Sequence, residues 1–270
     1  KKAKDFVLTG AQSGVLYISK LPVEKNILMG IERKVTPFYE AYKLLENCTG
    51  RFVVKNNTSQ MLSEQNDSID FVFTDPPFGD FIPYAEVNQI NELWLGQPTE
   101  RDKEIIISPS QNKGIQEYQK MLTDVFSEIG RVLKNASYVA VVFHAAKARV
   151  WSAFEDAIAD AGLNIGLTSI LDKKQSSFKQ VVSEASVQGD PLLLLNKNVE
   201  NAKLYEQEED IIKRVIISLE DGDCFDERRV YSLYVNECLR HKIRVTYDAK
   251  DAYVLIRQLR KGVIDAALRG

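Results

Sequence analysis

Histidine and cysteine are scarce in this sequence, two and three in 270 residues. Cys48, Cys224 and Cys238 are unclustered and contain no C-x-x-C pair, which argues against a zinc site or a disulfide framework and fits a reducing cytoplasm. No bound metal is expected. Long apolar runs are also missing: none reaches the roughly 18 residues of a membrane span, and no signal-peptide pattern opens the chain. There is no excess of positive charge, since the net charge is −3, so any nucleic-acid surface must be a local patch or one shared with a partner. An initiating methionine is absent too, and the start at Lys1-Lys2 is what a piece of a longer protein would show. What remains is a soluble globular composition, 44% hydrophobic and 27% charged, long enough for one large domain or a domain with a smaller addition.

The most informative stretch is "SIDFVFTDPPFGD", residues 68–80. Ile69 to Phe73 form a short apolar run that reads as a strand buried on both faces. Pro76 and Pro77 lack the N–H and fix φ, so the ladder must stop at Thr74-Asp75 and leave a stiff loop at the strand's carboxyl edge. In open α/β sheets ligands bind at that edge. A carboxylate, rigid carbonyls and an aromatic ring held there suit the binding of an exocyclic amine. Asp75 and the Pro76 carbonyl can accept its hydrogens, and Phe78 can stack on the base that carries it. An ordinary Asp-Pro turn is the bland alternative.

"TDPPF" resembles the catalytic motif of the amino-group DNA methyltransferases, which methylate adenine N6 or cytosine N4. The likeness extends through "GDFIPYAEVNQINELWLG", "SQNKGIQEYQKMLTDVFSEIGRVLK", "VVFHAAKARVWSAFEDAIADAGL" and "LDKKQSSFKQV". That order resembles a group of bacterial proteins described as DNA methylases and covers about residues 20–197. The resemblance implies S-adenosyl-L-methionine as cofactor and DNA as partner. It implies Asp75, Pro76, Pro77 and Phe78 as catalytic residues, with Asp75 also touching the cofactor. It further implies a polar residue contacting the cofactor's adenine at the end of a strand in "GRFVVKNNTSQML", where Asn57 matches best; a polar turn capping the next helix fits equally well. Within 172–190, Lys173, Lys174, Gln175, Ser176, Ser177, Phe178 and Lys179 suit phosphate contact and base stacking, although charged loops are usually just solvated. Related methylases carry Pro-Gly where this chain has Asn135-Ala136-Ser137, a departure in turn geometry.

The rest of the chain reads in order. Residues 5–20 suggest a hairpin, because Gly10 and Gly14 have the wrong spacing for a glycine-rich cofactor loop and a strand follows them. Residues 21–45 suggest two helical pieces broken by Pro37 and serving as a packing element. Tyr84, Val87, Ile90, Leu93 and Trp94 form an amphipathic stripe expected in the core. The stretch from Gln97 to Gly114 reads as a polar loop that could border a substrate groove. Tyr118, Leu122, Val125, Ile129 and Val132 mark a helix, "SYVAVVFH" a buried strand, and 147–161 a helix stopped by Gly162. His144, at the strand's end, reads as a lone structural hydrogen-bonding residue. Strands follow near 164–170 and 191–196. From Asn198 the pattern is helical only, at about 206–219, 226–240 and 248–259, and from Asn201 it balances 13 basic against 13 acidic residues, so it is no basic DNA arm.

The expectation is therefore an α/β protein with a Rossmann-like, mostly parallel methyltransferase sheet and helices on both faces. Residues 1–50 would pack on the core, 51–197 would form the catalytic core, and 198–270 would be a helical C-terminal appendage. The expected activity is methylation of a DNA base amine, adenine first. An RNA guanine-amine methyltransferase and a non-catalytic DNA- or partner-binding subunit remain open, whereas protein glutamine methyltransferases resemble Asn-Pro-Pro-Tyr, against Asp75 here. No glycine-rich loop or ribose-gripping acid is found, so the sheet is expected to lack its first cofactor-binding strands. An upstream segment or a partner subunit would supply them.

Overall fold

The computed structural model describes residues 26–171, 189–197, 207–220 and 225–267. The 5–20 hairpin and the 173–179 loop lie outside them. Two compact units divide between Asn56 and Asn57. The first contains α1 (Ile27–Leu45), opened by Asn26, whose side chain accepts from the Met29 N–H at 3.1 Å. Instead of two pieces, α1 is one helix with Pro37 inside it, and none of its residues is buried. Proline removes a single backbone bond, which a 19-residue helix survives.

The second unit holds a four-stranded sheet of order β1-β2-β4-β3: β1 Ile69–Thr74, β2 Leu133–Val142, β3 Asn164–Leu171 and β4 Asp190–Asn196. β1, β2 and β3 point the same way, and only β4, between β2 and β3, runs against them. The described sheet is mixed through this one strand: the chain returns from β3 as an antiparallel neighbour, while β1, β2 and β3 keep a common direction. Residues 50–57, expected to include a strand, have no regular structure, and Phe52, Val53 and Val54 are exposed. An apolar run forms a strand only where a neighbour completes its ladder. Nor is β1 buried on both faces: it is an edge strand among the described residues, and the face bearing Phe71 and Phe73 is uncovered, exposed at 56% and 65%.

Helices α4 (Ile115–Val132) and α5 (Ala148–Asp160) connect and cover the strands. The predicted stripe Tyr118, Leu122, Val125, Ile129 and Val132 is buried along α4, and Val150, Trp151, Phe154 and Ile158 are buried on α5. They meet Val139, Val141, Leu193 and Leu195 on one sheet face in a single cluster, where Phe143 stacks on Phe154 at 3.9 Å. Each such side chain withdrawn from water contributes roughly 1.5–3 kcal/mol. Alternation puts Phe71, Phe73, Tyr138 and Leu167 on the opposite face, all exposed, so the described helices do not cover both faces evenly. Asn135-Ala136-Ser137 is no turn. It lies in a bulge where residues 134–137 stand opposite Asp70 alone, closed by a Lys134–Asp70 ion pair.

The C-terminal segment is helical as expected, in α6 (Glu208–Glu220), α7 (Glu227–Arg240) and α8 (Ala249–Ala267). Ile211, Val215, Tyr231, Tyr234 and Ile256 from these helices join the same buried cluster as α4, α5 and the sheet. No helix of the described residues is long and apolar enough to cross a membrane.

Candidate functional site

The loop after β1 is held from several sides. Pro76 is buried, and Pro77 offers its carbonyl to the hydroxyl of Tyr118 on α4 at 2.5 Å. Tyr118 is fully buried, and burial pushes its phenol far above the usual range, so it stays a neutral donor. Gly79 follows at φ +69°, where a Cβ would also come within 3.3 Å of Ile107 and Val150. Only glycine fits that turn without strain. The Gly79 carbonyl accepts from the Ile107 N–H at 3.1 Å, and Asp80 pairs with Lys147 at 2.5 Å. The backbone from Pro76 to Asp80 is thus tied to α4, to the 97–114 stretch and to the segment leading into α5. Asp75 stands exposed at the loop's start.

Phe78 is half-buried. Its ring meets Phe143 edge-on at 5.5 Å, His144 at 6.0 Å and Phe81 at 6.3 Å. It is thus anchored on the core cluster as well as placed beside Asp75. His144, at the end of β2, is not a lone histidine: its Nδ1 lies 3.4 Å from Oδ1 of the buried Asp190. The structure brings Asp75 to Phe78 and His144 to one sheet edge. Asn57 is elsewhere in its contacts: exposed, with no strand before it, it bonds within its own turn to the Met61 carbonyl and the Thr58 N–H. The expected strand end beneath it is absent. Among the described residues no group of histidine, cysteine or acidic side chains could hold a metal.

Three features escaped the sequence reading. The amphipathic stripe after the loop is not core: α2 (Tyr84–Val87) and α3 (Gln89–Leu95) leave Tyr84, Val87, Ile90, Leu93 and Trp94 exposed, Trp94 at 88%. The polar 97–114 stretch is gathered around buried Lys113, whose Nζ donates to the Arg101 and Glu104 carbonyls at 2.6 Å each. Segment 57–68 is bound to α4 by Arg131, which donates to Leu62 O, Glu64 O and Asn66 Oδ1, and by Glu128, which accepts from the Leu62 N–H at 2.8 Å. Arg131's hydrogen bonds, with that N–H, hold the Glu128 carboxyl down to about 2. Only the i, i+3 spacing of Glu128 and Arg131 hinted at it.

The fold and edge thus define a mixed α/β protein with a rigid Asp-Pro-Pro-Phe loop at the carboxyl end of a parallel strand pair. No protein-family model matches the chain, and no curated protein matches it. Among solved structures, a protein of Thermus thermophilus described as a DNA modification methylase is similar at 14% identity and a TM-score of 0.31 over 58% of this chain. The chain spans 59% of that protein's length. The PvuII cytosine-N4-specific DNA methyltransferase is similar at 10% identity and a TM-score of 0.34, over 74% of this chain and 88% of its own. Likeness this partial leaves the chemistry to the site itself.

Proposed function

We propose that this chain methylates the exocyclic amine of a DNA base, adenine first, with S-adenosyl-L-methionine as donor. The observation that carries the reading is the locked Asp75–Phe78 loop at the carboxyl edge of the parallel β1–β2 pair, with Asp75 exposed and Phe78 half-buried beside it. An amine needs acceptors that do not move, because pre-set geometry replaces the entropy of alignment. Asp75 and the Pro76 carbonyl would accept the amine hydrogens and aim the nitrogen lone pair, while the flipped base rests on Phe78. When bound, the cofactor supplies an electrophilic methyl group. The exposed Asp75 carboxylate fits its positively charged sulfonium end, and Asn57 remains the proposed contact to its adenine. No glycine-rich cradle lies among the described residues, so we assign the rest of the cofactor to an upstream segment or a partner subunit. Lys173, Lys174, Ser177 and Lys179 are proposed DNA contacts.

A non-catalytic, partner-binding subunit is the second reading, favoured by the exposed aromatic residues Phe71, Phe73 and Tyr138 on one sheet face. The test is methylation of random-sequence DNA with labelled cofactor by the protein purified in its native assembly, read by nucleoside mass spectrometry. Labelled N6-methyladenine is expected, and N4-methylcytosine would redirect the base assignment. Label in neither, with intact protein, favours the second reading.

A further inference from the structure

Consecutive backbone dihedrals of the Asp75–Phe78 loop are stiffened by the sequence itself. Pro76 and Pro77 lock their own φ by ring closure. Each proline also holds the residue before it extended, which restricts ψ of Asp75 and of Pro76. Pro77 is followed by Phe78, so its ψ is the first soft dihedral of the loop. That joint has the Asp75 carboxylate and the Pro76 carbonyl on one side and the Phe78 ring on the other. Turning about it swings the Pro77 carbonyl, and that carbonyl accepts from the Tyr118 hydroxyl at 2.5 Å. The next anchor along the chain, the Ile107 N–H on the Gly79 carbonyl at 3.1 Å, lies beyond the dihedrals of Phe78 and cannot set this one. Tyr118 is a fixed post: it is fully buried in the first turn of α4, and its own N–H donates to the Gly114 carbonyl at 3.2 Å. A phenylalanine would fill the same place in the apolar stripe of α4, so the hydroxyl adds something that packing does not require.

We infer that Tyr118 is a positioning residue for methyl transfer: its hydroxyl sets the Pro77 joint, and with it the angle between the amine acceptors and the ring that carries the base. This rests on the function proposed above. Acceptors and a platform that drift relative to each other still allow DNA to be held through its phosphates. They no longer aim the nitrogen lone pair at the methyl carbon, which is the part of the barrier that pre-set geometry lowers. Tyr118 acts only through the loop, because its hydroxyl is spent on the Pro77 carbonyl. Burial keeps the phenol protonated, so the bond is present at any pH at which the protein is folded.

Tyr118→Phe keeps the ring and removes the bond. In the native assembly kcat should fall roughly 10- to 100-fold while KM for DNA stays within about twofold. In the 270-residue chain, nitrogen relaxation should give the Phe78 and Gly79 amides order parameters near about 0.85 in the wild type and below about 0.6 in Tyr118→Phe, with those of α4 unchanged. Tyr118→4-aminophenylalanine restores a donor at the same place and should recover both the rate and the order. A wild-type kcat in Tyr118→Phe, or a loss that 4-aminophenylalanine does not recover, overturns the role of Tyr118 alone. If Tyr118→Phe fails to fold, the wild-type amides decide: order parameters below about 0.6 at Phe78 overturn the lock, and values near about 0.85 support it. A wild type that transfers no methyl group overturns the proposed function, and this role in catalysis with it.

Discussion

At the scale of single residues, Asp75 and Glu155 make opposite predictions. Asp75 is exposed beyond the end of β1, so its removal touches little packing. Asp75→Ala should abolish methyl transfer with the melting temperature nearly unchanged, and retained turnover would remove it from the mechanism. Phe78→Ala should weaken base binding by about 1–3 kcal/mol through lost stacking, and also lower stability, because the ring is anchored against Phe143. Glu155 on α5 is a stability residue. Burial raises its carboxyl to about 7, against the partial relief of Arg244. The folded state therefore holds this proton more tightly than the unfolded chain, which releases it near 4.5. Its stabilising effect is complete below the unfolded value and is lost as pH rises through about 7. Glu155→Gln should remove that decline and raise stability at pH 8 by roughly 2 kcal/mol, read from urea midpoints at pH 5 and 8.

At the scale of elements, two connecting segments carry tests. Segment 57–68 has no helix or strand of its own before β1, and Glu128 with Arg131 fastens it to α4. The Glu128 carboxyl lies at about 2, below its unfolded value of 4.5. The anchor is accordingly intact above 4.5 and fails as pH falls through about 2. The Leu62 amide resonance should titrate in that window, and Glu128→Gln should erase the titration. The 173–179 segment is tested through salt. If Lys173, Lys174 and Lys179 meet phosphates, replacing all three by alanine should flatten log K against log salt by roughly one unit per contact. An unchanged slope returns them to a solvated surface.

At the scale of the molecule, the Asp75–Phe78 edge is built, whereas no glycine-rich loop of the kind the proposed cofactor would need lies among the described residues. The isolated chain should bind S-adenosyl-L-methionine weakly or not at all in calorimetric titration. Tight binding would mean that residues 5–20 hold a divergent glycine loop after all. Within the first unit the apolar side chains of α1 are exposed, and within the second unit so are Phe71, Phe73 and Tyr138 on one sheet face.

What the sequence determined by itself was local. Helical periodicity located α4, α5 and the three C-terminal helices, because an apolar stripe at that spacing has only one way to be buried. Proline chemistry located the end of β1 and the stiff loop, since a missing N–H ends a ladder whatever lies around it. Pairing and covering were decided by tertiary structure alone. Phe52-Val53-Val54 and Tyr84 to Trp94 have the composition of buried elements yet are exposed, because burial requires a second surface that no local pattern encodes. The antiparallel return of β4 likewise brought Asp190 to His144 from 46 positions away and turned an isolated histidine into half of a pair. Residues that distant in sequence meet only through strand order, which is a property of the whole sheet.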